Sequence, residues 1–188
     1  MIKDSGERRE FDSGAVRDIT EGKGRFDLVP LDAVAEITKD VFIYNIAKFQ
    51  AEEQPKYLVE AINKFSKDAF GDFETAMLEV AIHFEEGAKK YGENNWQKGI
   101  PFNSYIDSTV RHYYKWKRGA DDERHDRAVI WNLLCLYYEG LWSGRTCENC
   151  KYYVREPESQ LYEKCMKDSS DTTVHKNHRC KKWQHKML

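Results

Sequence analysis

The stretch from Glu123 to Trp142 constrains the fold of this chain more than any other. Val129, Ile130, Trp131, Leu133, Leu134, Leu136, Tyr137, Tyr138, Leu141 and Trp142 would leave a helix there apolar nearly all round, which means burial on every side. Other helices have to supply the cover, because no strand pattern of convincing length occurs before residue 145. Within this apolar surface His125, Asn132 and Glu139 recur every seven residues. They drift by only about 20° per step and so form one polar line. Asp122 sits one turn before His125 on roughly the same side. Polar groups on a buried helix must be satisfied by one another, by water or by a metal. Asp122, His125 and Asn132 together therefore predict an internal site, whereas Asn132 alone would be an ordinary core amide. Cys135 reads as a core thiol.

The covering helices can be placed by period. Leu31, Val34, Ala35, Ile37 and Thr38 fit a first amphipathic helix, which Phe42 to Phe49 extends or follows. Gln54-Pro55 is a break. Tyr57, Leu58, Ala61, Ile62 and Phe65 give the next helix, ending near Phe70-Gly71-Asp72, and another begins around Phe73 to Glu74. Ser104 reads as the N-cap of a helix with Ile106, Val110, Tyr113 and Tyr114 on one face. Its polar side holds Arg111, Lys115 and Arg118. Arg111 and Lys115 are one turn apart and can reach a single anion, although exposed cations are the default for such a pair. The body is expected to be all-α.

The helix running into His83-Phe-Glu-Glu-Gly-Ala-Lys-Lys-Tyr-Gly-Glu-Asn-Asn-Trp96 carries two lines. Ala81, Phe84, Ala88 and Tyr91 form an apolar one that should pack, and Glu79, His83, Glu86 and Lys90 form a titratable one that can do chemistry. Gly92 is a natural stop, after which Asn94, Asn95 and Trp96 continue in non-helical backbone toward Gly99 and Pro101. A solvated amphipathic helix followed by a plain loop would carry the same pattern. Before these helices, residues Met1 to Pro30 are polar and punctuated by glycine, and read as an extended arm. Lys23 and Arg25 stand beside Gly22 and Gly24, where backbone and side chains could approach a phosphate, but the stretch does not match a P-loop.

With 188 residues the chain can bury one core and carry a small appendage. Its 30 basic and 32 acidic residues nearly cancel, so any polyanion must be held by a local site, and nucleic acid is not an expected partner. No apolar run approaches the roughly 20 residues that span a bilayer, and the charged N-terminus lacks the apolar centre of a signal peptide. We expect a cytoplasmic protein without a membrane partner. Beyond Gly144 the helical period is lost, and Cys147, Cys150, Cys165 and Cys180 follow. In a reducing compartment, Cys-x-x-Cys with two later thiols predicts a structural Zn²⁺ site over residues 143–188, in which His175 or His178 could replace a thiol.

Several motifs then agree on a family. Ser13-Gly14-Ala15-Val16-Arg17-Asp18, Gly22-Lys23-Gly24-Arg25-Phe26-Asp27-Leu28-Val29-Pro30, Gly87-Ala88-Lys89-Lys90-Tyr91-Gly92-Glu93-Asn94-Asn95-Trp96-Gln97-Lys98-Gly99, Arg111-His112, Asp122-Glu123-x-His125 and Trp131-Asn132 resemble phage-encoded dATP/dGTP diphosphohydrolases. That family is similar to the all-α MazG-like nucleotide pyrophosphohydrolases. The resemblance covers the arm and Gly71 to about Glu139, which leaves 39–70 as an insertion within a 1–142 domain. It implies a MazG-like helical bundle that hydrolyses purine deoxynucleoside triphosphates to monophosphate and pyrophosphate with Mg²⁺ or Mn²⁺, in phage nucleotide metabolism and so in the host cytoplasm. A homo-oligomer is expected. Glu86, Asp122 and His125 would be catalytic and would hold the metal. Lys90, Asn95, Trp96, Lys98, Arg111, His112 and Asn132 would bind substrate, with Trp96 stacking on a purine and Asn95 reading its edge. MazG-like helices usually carry Glu-x-x-Glu and Glu-x-x-Asp, whereas the stripes here read His83-x-x-Glu86 and His125-x-x-Ala128, so Glu79, Glu85, Asp126 and Asn132 are further candidate ligands. Two alternatives stand beside this reading. One is an HD-type metal phosphohydrolase built on His125-Asp126 with His83 and His112, and the other is a zinc-containing adaptor for protein or nucleic acid.

Overall fold

The computed structural model describes residues 6–143 and, after them, 153–154, 163–165 and 172–174. The chain divides into two compact units, Met1–Glu139 and Gly140–Leu188. Six helices account for most of the first: α1 Leu31–Thr38, α2 Val41–Glu52, α3 Pro55–Phe70, α4 Phe73–Tyr91, α5 Phe102–Lys117 and α6, which starts at His125 and runs to Ser143. The helical reading of the body therefore holds, with boundaries set by local chemistry. Asp40 caps α2 by accepting from the Phe42 and Ile43 amides at 3.0 and 3.2 Å. Asp72 does the same for α4 through Thr75 at 2.6 Å. Proline at the first position of α3 forfeits only an amide that would lack a helical acceptor anyway.

The expected cap at Ser104 is displaced. The α5 helix already starts at Phe102, and Ser104 lies in its first turn, where its Oγ accepts from Arg9 at 3.2 Å. Pro101, with φ −58°, is preset for the entry and takes the capping position.

Helices α1, α2 and α3 pack in succession, and α3 packs on α4. Phe42, Ile43, Ile46 and Phe49 of α2 and Leu58, Ala61, Ile62 and Phe65 of α3 are all buried, so the segment read as an insertion supplies a large part of the core. Phe42 stacks on Tyr113 of α5 at 4.1 Å between ring centroids and tilts against Phe65 at 5.5 Å. Deleting a fully buried ring such as Phe65 would cost about 3–5 kcal/mol. Asp40 extends this junction by accepting from the Tyr113 hydroxyl at 2.7 Å and from Lys117 at 2.9 Å. As expected from its apolar circumference, α6 is buried through Val129, Ile130, Leu133, Cys135 and Leu136, and its polar line of His125, Asn132 and Glu139 is buried with them.

The arm departs from the expectation of a strandless body. Strands β1 (Arg8–Glu10) and β2 (Val16–Asp18) pair antiparallel, with Arg8 opposite Asp18 and Glu10 opposite Val16, and Ala15 is fully buried. Three-residue strands are too short to show a period in sequence. After them a 3-10 turn, Phe26–Leu28, packs on α5, where Phe26 stacks on Tyr114 at 5.7 Å.

In the second unit the described segments are three short strands in the order β3 (Tyr153–Val154), β4 (Glu163–Cys165) and β5 (Thr172–Val174), all antiparallel, with Cys165 opposite Tyr153 and Thr172. The expected zinc ligands Cys147, Cys150 and Cys180, and the alternatives His175 and His178, lie outside the described residues. For Cys165 only the backbone is described.

Candidate active site

A cavity of about 980 Å³ opens in the first unit, lined by the arm, α4, the turn after it, α5 and the start of α6. That volume suits a nucleotide-sized ligand. Of the two lines on α4, the apolar one contributes more than expected: Phe84, Ala88 and Tyr91 line the cavity with His83 and Gly87, while Ala81 is exposed. Small side chains at Gly87 and Ala88 open space where larger ones would fill it. Glu86 is not among the lining residues, and Glu79 is engaged by Arg127 at 2.8 Å.

The turn after α4 is shaped by Gly92, with φ +88°, and Asn94, with φ +57°, a left-handed conformation that asparagine tolerates. It delivers Asn95 to the arm. The Asn95 Oδ1 accepts from the Val16 amide at 2.9 Å, and its Nδ2 donates to the Val16 carbonyl at 2.8 Å. Both ends of the amide are thus engaged with β2, although the sequence suggested a purine edge for it. Trp96 lines the cavity half-buried, with edge contacts to Phe84 and Tyr138 at 5.6 and 4.9 Å. Lys98 is exposed, is not among the lining residues, and reaches the Gly14 carbonyl at 3.4 Å. Lys90 pairs with Asp18 at 2.8 Å, an oxygen pair that also accepts from the Tyr91 hydroxyl at 2.8 Å. Burial and this bond push the Tyr91 phenol well above its ordinary value.

Arg17 is the residue that sequence reasoning missed as a site member. Its guanidinium donates to the Ser104 carbonyl and the Ser108 hydroxyl at 3.2 Å and to Asn132 Oδ1 at 2.9 Å. It also lies over the rings of Tyr105 and Trp131 at 5.3 and 5.7 Å. Every acceptor is neutral. Desolvation is the largest influence on it and lowers its proton affinity, and no carboxylate is among the leading charges it senses. The residue is half-buried by surface, and its charge sits in the wall of the cavity with no ion-pair partner among the described residues. Asn132, expected to contact substrate, spends its Oδ1 on Arg17 and its Nδ2 on the Ala128 carbonyl at 2.7 Å.

Arg9, Lys23, Arg111, Lys115 and Arg118 add further cations to the lining. Arg111 is ion-paired with Asp107, whose other oxygen accepts from the Phe26 amide at 2.8 Å. Four buried nitrogens of the lining, Arg9 Nε, His83 Nδ1, Arg111 Nε and Trp131 Nε1, have no hydrogen-bond partner among the described residues. Such groups are costly unless something completes them. Burial holds the His83 imidazole down to about 4.

At the corner between α5 and α6, Asp122 and His125 come together as expected, with Asp122 Oδ1 2.8 Å from His125 Nε2. Lys115 anchors the other Asp122 oxygen at 2.8 Å, and the two partners hold this carboxyl far below the usual range. On its other side the His125 ring meets His112, Nδ1 to Nδ1 at 2.9 Å. Glu123 Oε1 lies 3.7 Å from each of those nitrogens. Burial, then the neighbouring His125, push the His112 imidazole well below its ordinary value. Asp126 bonds instead to Arg124, at 3.0 and 2.7 Å, and is not among the lining residues, so the His125-Asp126 pair does not present both side chains to the cavity.

The family model described as "dATP/dGTP diphosphohydrolase, N-terminal" matches residues 47–142, from the second half of α2 through nearly all of α6. No curated protein and no solved structure matches the chain. No helix of the described residues is long and apolar enough to cross a membrane.

Proposed function

This chain belongs to the dATP/dGTP diphosphohydrolase N-terminal family, and on that premise we propose that its cavity binds a purine deoxynucleoside triphosphate and hydrolyses it to monophosphate and pyrophosphate. The observation that carries this reading is Arg17, a desolvated guanidinium bonded only to neutral oxygens in the wall of the cavity. An uncompensated buried cation is expensive unless an anion completes it, and a triphosphate oxygen is such an anion. Arg111, Lys23 and Lys115 line the same space and add to the field on developing phosphate charge. Tyr91, Phe26 and Trp96 offer aromatic surface to a base.

A divalent cation, Mg²⁺ or Mn²⁺, would supply charge neutralisation and water activation. Of the residues expected to hold it, Asp122 lines the cavity, Glu123 adds an oxygen there, and His125 is buried against Asp122 without being among the lining residues. Asp122 orients the His125 ring, and the Asn95 clasp holds the arm, and so Arg17, against α5 and α6. For the tail the proposal is one structural Zn²⁺ on Cys147, Cys150, Cys165 and Cys180, tested by elemental analysis of the purified chain.

The experiment is pyrophosphate release from each deoxynucleoside triphosphate, with and without divalent cation, for the parent and Arg17→Ala. Release from dATP and dGTP that depends on cation and is lost in the variant is expected. Tripolyphosphate or inorganic phosphate as product would mean that a different bond is broken and would overturn the proposal.

A further inference from the structure

The geometry points to a metal site made of His112, Glu123 and His125 that takes a first-row transition cation in preference to Mg²⁺. Ligand atoms of the three lie within 4.8 Å of one another. Two imidazole nitrogens face each other at 2.9 Å, with a carboxylate oxygen 3.7 Å from each. Ligands about 2.1 Å from one ion are roughly 3.0 Å apart at right angles and roughly 3.6 Å apart at 120°. The three observed separations fall close to that range before any ion draws the groups together.

The proton arrangement favours the same conclusion. With His125 Nε2 donating to Asp122 Oδ1, the neutral ring keeps its Nδ1 lone pair for the side that faces His112 and Glu123. Asp122 is thereby a positioning residue of the kind that stands behind metal-bound imidazoles, and Lys115 steadies it from the far side at 2.8 Å. A cation would replace the proton shared between the two Nδ1 atoms and balance the Glu123 charge.

The donor set decides the class of metal. Mg²⁺ demands near-octahedral oxygen ligation, and two nitrogens of three protein ligands do not fit it. Imidazole with carboxylate suits manganese, iron, cobalt or zinc, and three protein ligands leave further coordination positions open. His112 and Glu123 line that cavity with Asp122. The site deepens the triphosphate reading above, on which only its role in turnover depends.

Titration of metal-free, full-length protein with Co²⁺ tests it. A visible ligand-field band saturating at one equivalent is expected after subtraction of any cobalt on the cysteine tail, whose own visible bands are marked by the near-ultraviolet thiolate charge transfer that accompanies them. His112→Ala and His125→Ala should abolish the band, and Glu86→Gln should leave it. Asp122→Asn keeps all three ligands and a similar shape, so it guards against unfolding of the alanine variants; it should weaken binding by roughly 10–100-fold. Excess Zn²⁺ should displace the cobalt and equal Mg²⁺ should not. A cobalt band indifferent to His112, His125 and Asp122, or displaced equally well by Mg²⁺, would overturn the site. Triphosphate hydrolysis on Mg²⁺ without a cobalt site sinks this inference and leaves the proposed function, whereas a cobalt site in a chain that turns over no triphosphate does the reverse.

Discussion

Arg17 lines the cavity and His125 is buried against two of its lining residues, Asp122 and His112, and the two are held in place in different ways. Arg17 reaches across 115 residues to Asn132 and 91 to Ser108, while His125 finds Asp122 three residues away and His112 thirteen away. The arm end depends on long-range closure, so its ordering must outweigh the entropy of fixing a distant segment. The α5–α6 corner is assembled locally as soon as two adjacent helices meet. Their chemistry differs as well. At the arm end a cation has exhausted the neutral acceptors around it and still carries an uncompensated charge, whereas at the corner two nitrogens and an oxygen converge on common space. On the proposals above, one end would attract an anion and the other would gather around a cation.

The comparison breaks most visibly at Arg17. Arg17→Ala should lower kcat/KM by about 100- to 1000-fold, the scale for losing a preorganised donor to developing charge. Far-UV circular dichroism should be nearly unchanged, because the helices of the body do not run through the arm. Arg17→Lys should recover little, since an ammonium cannot bridge Ser108 and Asn132 in one plane. Parental kinetics in Arg17→Ala would reduce the arm to a structural strap.

A second effect, of the order of 3 kcal/mol, concerns how dry the cavity is. His83 is held down to about 4 from an ordinary 6.5, chiefly by burial. Its folded form therefore binds fewer protons than the unfolded chain once the pH falls below 6.5. The stability from keeping it neutral is complete above that pH and is lost progressively as the pH falls through the folded value near 4. Urea midpoints at pH 7 and pH 4.5 should fall further apart in the parent than in His83→Gln. Equal slopes in the two proteins would mean that His83 is hydrated, and that the cavity is wetter than its lining implies.

What the sequence disclosed follows the same division between near and far. The helix over Leu31–Thr38, the break at Pro55, the start at Phe73 and the buried polar line of α6 were legible because each rests on period or on a cap within one turn. The pairing of Asp122 with His125 was legible for the same reason. Ser104 misled because the same residue type that caps a helix also serves inside its first turn, and only the distant Arg9 decides between them. Asn95 and Arg17 could not be assigned from their neighbours in sequence, since their roles are defined by Val16 and Asn132, 79 and 115 residues away. Glu123 belongs to the Asp122-Glu123-x-His125 motif, but its place beside two imidazoles depends on how α5 and α6 meet.

A smaller change at the arm clasp sharpens the contrast. Asn95→Ala removes both bonds to the Val16 backbone, and each group left without a partner costs about 1–3 kcal/mol if water cannot reach it. KM should rise, because the arm that carries Arg17 is no longer pinned, while cobalt binding at the corner stays at the parental affinity. If both readouts moved together, the two ends would be one cooperative unit and the division between long-range and local construction would fail.

The smallest effect is expected at Lys98. The family motif places it among the substrate cations, yet its side chain is exposed and outside the cavity, and its one described bond is a long 3.4 Å contact to the Gly14 carbonyl. An exposed ammonium screened by water contributes little to a ligand held behind a wall, and its lost bond to Gly14 is readily replaced by solvent. Lys98→Ala should therefore change stability by less than about 0.5 kcal/mol and KM by less than about twofold. Lys23→Ala is the paired control, because Lys23, although also exposed, lines the cavity and partial desolvation lowers its proton affinity. A larger KM effect at Lys98 than at Lys23 would mean that the turn after α4 closes over bound triphosphate, which would move the anion-attracting end of the site from the arm to that turn.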